Sequence, residues 1–402
     1  MILEIRLSNF FSLKQEVVLD LRAGNSKSAK TQHLLGNTFY CNDEQVLKSL
    51  AIYGANASGK SNIIKAINLC ISIICFSHTY NENEIFNFVP FKFDGFPQKP
   101  STFLIRFVID GVEYEYSFSF TQKEIITEEL YRRRAKIFTR NENNGKLKNE
   151  IYSFGTVIRK PLDIAENTSR KTLYISRASQ MDRELPKEIF KFFTEKICLD
   201  YKYLPIEKLF FSNKETILKA LQIADSDIVN IEMQKKEIPN KNIIFVNDTK
   251  QTYLDFITYH KRNPEIAFNL SMEESAGTSM LFYMILAMID AVKNNKIFII
   301  DELEMSLHTK IVEYILNLFH ASNSAQIIYT THNTNLLNLN KLRKDQIYFV
   351  NKLEDGSSDL YSLFDYTDFS DSMDVEKAYL QGRFDAIPYI NDSIENLKTI
   401  LQ

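Results

Sequence analysis

Residues 1–13, MILEIRLSNFFSL, alternate apolar and polar positions with the period of a half-buried strand. A short apolar run at Leu50–Tyr53 predicts a buried strand, and Ile63, Ile64, Ala66 and Ile67 follow at helical spacing. Strand patterns cover Phe86–Phe93, Thr102–Ile109, Glu113–Phe120 and Ile125–Tyr131, with Asp110-Gly111 as a hairpin turn. They predict an antiparallel sheet. Residues 141–149 are a polar loop, and 155–224 read mainly as helix. Within that stretch Thr172–Ser176 suggests a strand and Pro186–Ile197 a helix. Strands return at Ile228–Met233 and Ile243–Asn247, and an apolar helix follows over Leu281–Val292. The chain closes with buried strands at Ile297–Ile300 and in QIIYTTH (326–332), then at Ile347–Val350 and Leu360–Leu363.

Between the first buried strand and its helix stands Gly54-Ala55-Asn56-Ala57-Ser58-Gly59-Lys60-Ser61, a full match to G-x-x-x-x-G-K-[ST]. The glycines let the backbone turn and approach an anion, and successive N–H groups and the helix start face it. Lys60 would reach the β- and γ-phosphates of ATP, and Ser61 would offer its hydroxyl to Mg²⁺. Asn62 continues the anion-facing first turn. The plain alternative is a ligand-free glycine turn, but with only 11 glycines in 402 residues a chance match is rare.

Residues 296–302, KIFIIDE, are an apolar strand ending in two carboxylates. Phosphoryl transfer needs a metal holder and a water-orienting group beside the phosphate cradle. Asp301 would be the first and Glu302 the second. His332, at the tip of QIIYTTH, would contact the γ-phosphate or the attacking water; alone it reads as an ordinary loop histidine. Residues 273–279, EESAGTS, precede the apolar helix, where Ser275 and Gly277 supply a hydroxyl and exposed amides. They read either as a plain N-cap or as a second anion site meeting ATP from the far side.

Composition narrows the class. Hydrophobic residues make up 45% and charged residues 25%, the mix of a folded globular chain, and the net charge of −3 excludes a generally basic nucleic-acid coat. The stretch 123–187 is locally basic, with 15 Lys/Arg against 9 Asp/Glu, densest at Arg132–Arg134. It reads as a solvated face or as a nucleic-acid contact. Four cysteines without C-x-x-C spacing point to a reducing cytoplasm. The apolar runs Ile67–Phe76 and Leu281–Val292 fall short of a bilayer span, and the N-terminus lacks a signal-peptide pattern. No membrane partner is expected.

In this order, Gly54–Ser61, Ser275–Thr278, Asp301–Glu302 and His332 resemble the phosphate loop, signature, acidic strand and switch histidine of ABC/SMC-type ATPases. DELEMSLH (301–308) aligns without gaps to that family's DEPTSALD run into the D-loop. S-A-G-T stands where the family has S-G-G-Q, and His308 replaces the D-loop aspartate. The opening Ile5-Arg-Leu-Ser-Asn-Phe10 is similar to the first strand of RecF, SMC and OLD-type ATPases. Together with the tail Tyr379–Pro388, these motifs resemble standalone ATP-binding proteins of bacterial abortive-infection and antiphage loci, of the AbiL/RloA-like and PARIS ATPase-like kind.

The resemblance implies an α/β fold: an ABC-type P-loop NTPase head with an antiparallel β-subdomain and an inserted helical lobe. The expected division is 1–125 (phosphate loop and β-subdomain), 126–224 (a mainly helical insert) and 225–402 (signature, acidic strand, D-loop and switch histidine). It also implies a glutamine that contacts the metal, for which Gln180 is the candidate and Gln122 the competitor. Two heads would sandwich ATP between one phosphate loop and the partner's Ser275, in a head-to-tail homodimer or larger assembly. The implied activity is ATP hydrolysis that gates a separate effector, such as a nuclease, in antiphage defence. The alternative is a RecF/SMC-like clamp in DNA repair, with nucleic acid held by the basic insert.

Overall fold

The computed structural model describes residues 1–25, 33–199, 205–224, 227–238, 251–305, 307–366, 373–388 and 399. The expected strand at 243–247 lies outside the described residues. At the centre is a six-stranded sheet in the order Ile197–Cys198, Ile297–Ile300, Gln326–Thr330, Ser49–Gly54, Ile347–Lys352, Ser358–Ser362. The first five are parallel and the last is antiparallel. Their apolar residues are buried on both faces, as a parallel interior strand requires. Alternation sorts them into two cores. Leu50 and Ile52 pack with the antiparallel sheet, whereas Ala51 and Tyr53 pack with the signature helix, Ala276–Lys293.

The second sheet is antiparallel, with seven strands in the order Tyr152–Phe154, Ala135–Asn141, Ile125–Arg132, Val112–Phe120, Ser101–Ile109, Ile2–Ser8, Val17–Asp20. Asp110 and Gly111 make its two-residue hairpin turn with φ of 45° and 75°. Strands thus continue beyond residue 125 as far as Phe154, and within the 126–224 stretch the helices longer than about one turn come after them. A third sheet pairs Ile228–Ile238, Gln251–His260 and Asn263–Asn269 just ahead of the signature helix.

Several expected elements differ. Phe86–Phe93 is no strand, although Phe86, Phe88 and Phe91 are buried. It runs over the core pinned by single bonds, Phe11 N–H to Val89 O (2.8 Å) and Phe91 N–H to Asn9 Oδ1 (3.0 Å), without a ladder. Thr172–Ser176 leads into a helix, Tyr174–Gln180, instead of forming a strand. The cause is buried Glu128, whose carboxylate accepts the N–H groups of Tyr174 (2.6 Å) and Ile175 (3.0 Å) at the helix start. A short buried apolar run has no period of its own to choose between the two. The helix expected over 186–197 ends at Lys191, because a wide turn at Phe192–Lys196 delivers Ile197 to the edge of the central sheet.

The two apolar runs also extend further than expected. They lie in helices at Lys60–Thr79 and Ala276–Lys293, both long and apolar enough by length and composition to cross a membrane. Each helix buries most of its apolar residues inside the chain, one in each core, with Phe76 left exposed. All four cysteines are free and buried.

Candidate functional site

The strands Ser49–Gly54, Ile297–Ile300 and Gln326–Thr330 run parallel, so their carboxyl ends open on one edge, where α/β sheets hold their ligands. The phosphate loop leaves the first of these ends. A Cβ on Gly54 would lie 2.5 Å from Val350 O, so only glycine fits this approach. Ala57 and Gly59 have φ of 61° and 113°, and a Cβ on Gly59 would overlap the Ser358 hydroxyl.

That hydroxyl belongs to a clasp assembled from distant parts of the chain. Ser358 Oγ donates to Ser58 O and also bonds Ser12 Oγ (2.7 Å), while Asn62 Nδ2 donates to Ser12 Oγ (2.8 Å). Ser58 is buried in the loop, whereas Ala55, Asn56, Ala57, Ser61 and Gly277 keep some exposure. Lys60 is buried at the helix start, and its Nζ donates to Gly54 O and Ala55 O, both at 2.9 Å. Burial pulls its pKa down to about 8, against Asp301, Glu302 and Glu304, whose charges pull it up.

The acidic strand and the histidine strand are joined at their tips. Thr330 Oγ1 donates to Asp301 Oδ1 (2.5 Å) and accepts the Glu302 N–H (2.7 Å). Glu302 takes a left-handed backbone, φ 51°, and is exposed. Glu304 accepts the backbone N–H of His332. Burial and then the Lys60 ammonium hold the His332 imidazole below its ordinary pKa, although part of the residue reaches solvent. It is therefore mainly neutral at pH 7. A cleft of about 360 Å³ opens here between Gly54–Asn56, His332, Thr334 and the tail residues Tyr379, Leu380, Ile387 and Pro388. The tail is anchored by ring stacking, Phe349 on Phe384 at 4.6 Å and 11°, and by Glu376 accepting from Thr334 Oγ1 (2.8 Å).

The residues fit a magnesium nucleotide. The loop leaves no room for a side chain at Gly54, a buried cation faces it, and a hydroxyl and a carboxylate, Ser61 and Asp301, flank Lys60. No cluster of three metal-ligating side chains occurs among the described residues. Mg²⁺ would accordingly share its coordination with phosphate oxygens.

Ser275 lies elsewhere. It is exposed and caps its own helix: its Oγ accepts the Thr278 N–H (3.0 Å) and bonds Thr278 Oγ1 (2.8 Å). No hydrogen bond joins it to the phosphate loop among the described residues. His308 is likewise an N-cap, accepting the Lys310 N–H (3.2 Å). Gln180 is not brought to the site. It ends the helix Tyr174–Gln180, whose start docks through Leu173 and Ser176 on Ser77 and His78, just past the end of the 17-residue phosphate-loop helix. Its Nε2 donates to Ser179 Oγ (3.0 Å), and no hydrogen bond joins it to the phosphate loop among the described residues. Gln122 holds Phe88 O (2.6 Å), in the segment bonded to Phe11. The residues that sequence reasoning passed over are Ser12, Ser358, Thr330 and Glu304. Only the last had a local signal, a second acid two positions after Glu302.

Comparison with known proteins gives a family and a set of structural relatives. Residues 49–338 match the family described as "AAA domain, putative AbiEii toxin, Type IV TA system". No curated protein matches the chain. Among solved structures, an Smc head bound to the C-winged helix domain of ScpA is similar at 15% identity and TM-score 0.42, over 94% of this chain and 99% of that one. The SMC head domain from Thermotoga maritima is similar at 13% and 0.41, over 90% and 98%. An Smc head with an extended coiled coil, bound to the C-terminal domain of ScpA derived from Pyrococcus furiosus, is similar at 15% and 0.42, over 100% and 99%.

Proposed function

The chain belongs to the AAA family described as "AAA domain, putative AbiEii toxin, Type IV TA system", and from that premise we propose that it is an ATP-hydrolysing switch. In this reading two copies close head to tail on ATP and gate a separate effector, a nuclease, in bacterial antiphage defence in the cytoplasm. The observation that carries the ATPase reading is the convergence of Asp301, Glu302 and Glu304 on buried Lys60, with His332 beside them. The family's toxin description supports the defence setting.

The chain's own groups divide the work. The loop N–H groups and Lys60 bind the phosphates of ATP. Mg²⁺, held by Ser61 and Asp301, would neutralise charge on the β- and γ-phosphates. Glu302 orients a water and takes its proton as the water oxygen bonds the γ-phosphorus and the bond to the β–γ bridging oxygen breaks. Thr330 holds the Glu302 backbone for this, and neutral His332 donates a hydrogen bond toward the γ-phosphate. Ser275 is exposed and makes no hydrogen bond to its own phosphate loop among the described residues, so in this reading it serves a partner's nucleotide. A ligand gripped from both sides favours the closed dimer, and hydrolysis releases it.

The test is Glu302→Gln with ATP and Mg²⁺. It is expected to bind ATP, hydrolyse it far more slowly and accumulate as a dimer in size-exclusion chromatography with light scattering. A variant that turns over like the wild type removes Glu302 from this role. The repair-clamp reading keeps one supporting observation: Arg132, Arg133 and Arg134 form an exposed hairpin tip. Salt-sensitive DNA binding that is lost in an Arg133→Glu, Arg134→Glu variant would favour it.

A further inference from the structure

Three buried polar atoms lie behind the reacting edge and take no part in the chemistry above. Tyr329 lies opposite Ala51 in the parallel register, so Tyr53, two residues beyond Ala51, projects on the same face. Both tyrosines are fully buried. Neither hydroxyl has a hydrogen-bond partner among the described residues, and the same holds for Oε2 of Glu304. These groups are complementary: two hydroxyl donors and one carboxylate acceptor. The Glu304 charge acts on both hydroxyls, adding to the upward push of burial on each. The other carboxylate oxygen of Glu304 accepts the His332 N–H. Glu304 also stands in the turn that begins at Glu302, where Met305 N–H bonds Glu302 O (3.0 Å) and Leu307 N–H bonds Glu304 O (2.7 Å).

We infer that Glu304 is a positioning residue for His332, fixed from below by the hydroxyls of Tyr53 and Tyr329 through a bridging water. One carboxylate oxygen then holds the histidine loop and the other is anchored to two central strands. The turn carrying Glu302 and the loop carrying His332 are thereby locked together as one body. A buried polar site with three partners is suited to such a water, and buried groups of this kind are costly to leave unpaired. The inference rests on the ATPase reading for its kinetic consequence but not for its structural one.

The experiment compares Glu304→Ala, Glu304→Gln and Tyr53→Phe/Tyr329→Phe with the wild-type chain. Amide exchange of the 331–334 segment is read without nucleotide, and kcat and KM for ATP are read with it. Glu304→Ala is expected to speed exchange at the His332 amide about tenfold or more. It should lower kcat about 10–100-fold while changing KM less than about threefold, the signature of lost positioning with binding intact. Glu304→Gln keeps an acceptor for His332 and should restore most of both. The tyrosine pair should fall between. Unchanged exchange in Glu304→Ala overturns the inference, and so does equal loss of kcat in the Gln and Ala variants, which would mark a role for charge. If Glu304→Ala does not fold, Tyr329→Phe alone carries the exchange test, with wild-type protection counting against the inference. Absence of ATP turnover in the wild type would sink the ATPase reading, while the exchange result would still decide the inference.

Discussion

The phosphate-loop edge and the signature edge differ in how they are held together. At the first, Lys60, Ser58 and Thr330 are buried, and groups from three parallel strands bond one another within the chain. At the second, Ser275 and Met272 are exposed, Met272 at 87%, and among the described residues the serine hydroxyl bonds within its own helix start. One edge is knit together by bonds between elements, whereas the other is an exposed surface bonded within its own helix start. In the proposed head-to-tail dimer, each copy's exposed signature edge would meet the phosphate-loop edge of the other.

The largest expected effect breaks the phosphate-loop edge. Lys60→Ala removes the side-chain cation that, among the described residues, bonds the loop carbonyls of Gly54 and Ala55. ATP affinity measured by calorimetry should fall more than about 100-fold, with the fold retained in circular dichroism. Glu302→Gln comes next, because its side chain is exposed and not part of the loop's support. Turnover should drop about 10²–10³-fold while ATP affinity stays within a fewfold of wild type.

The signature edge is sharpened by a mixing experiment. Ser275→Arg should leave ATP binding to the isolated chain intact and abolish hydrolysis. An equal mixture with Lys60→Ala contains heterodimers holding one intact composite site, so turnover should recover to about a quarter of wild type at most. Recovery to no more than either variant alone would mean that the two faces do not meet.

The same contrast explains what could be read from the sequence. Gly54–Ser61 is legible because strand, turn and helix are contiguous, and the spacing of two glycines and a lysine sets which atoms would face a phosphate. Asp301 and His332 are legible because each ends an apolar run. Ser12 and Ser358 were not, since they meet across 346 positions and neither has a local pattern. Ser275 stayed ambiguous for a physical reason: a serine three residues before Thr278 is both a good N-cap and a good anion donor, and the folded chain uses the first role. The choice of Gln180 depended on reading Thr172–Ser176 as a strand, and the folded chain makes that segment a helix start instead. The buried Glu128 that turns this segment into a helix start is 46 positions away from Tyr174.

The smallest expected effect separates the edges by pH. Beside the signature, His260 sits between Asp227 Oδ1 and Glu274 Oε1, both at 2.7 Å, and Thr258 Oγ1 also bonds Glu274 (2.5 Å). Phe268 meets the imidazole edge-on, and Lys261 is its sequence neighbour. Burial lowers the imidazolium pKa, but the bonds to the two carboxylates outweigh it and the net value is raised. A raised pKa means the folded state holds the proton more tightly than the unfolded chain does. The stabilisation is therefore fully present below the ordinary histidine value of about 6.5 and is lost as pH climbs through the raised value. The melting temperature should fall by about 1–3 °C across that window for this pair of partly exposed contacts, and His260→Gln should flatten the profile. Glu274 immediately precedes Ser275, so the loss should loosen the signature edge first. Amide exchange at residues 269–276 should rise with pH beyond its intrinsic increase, while the 54–62 segment follows the intrinsic rate alone. Equal excess exchange at both edges would mean that His260 stabilises the chain globally and that the two edges are one cooperative unit.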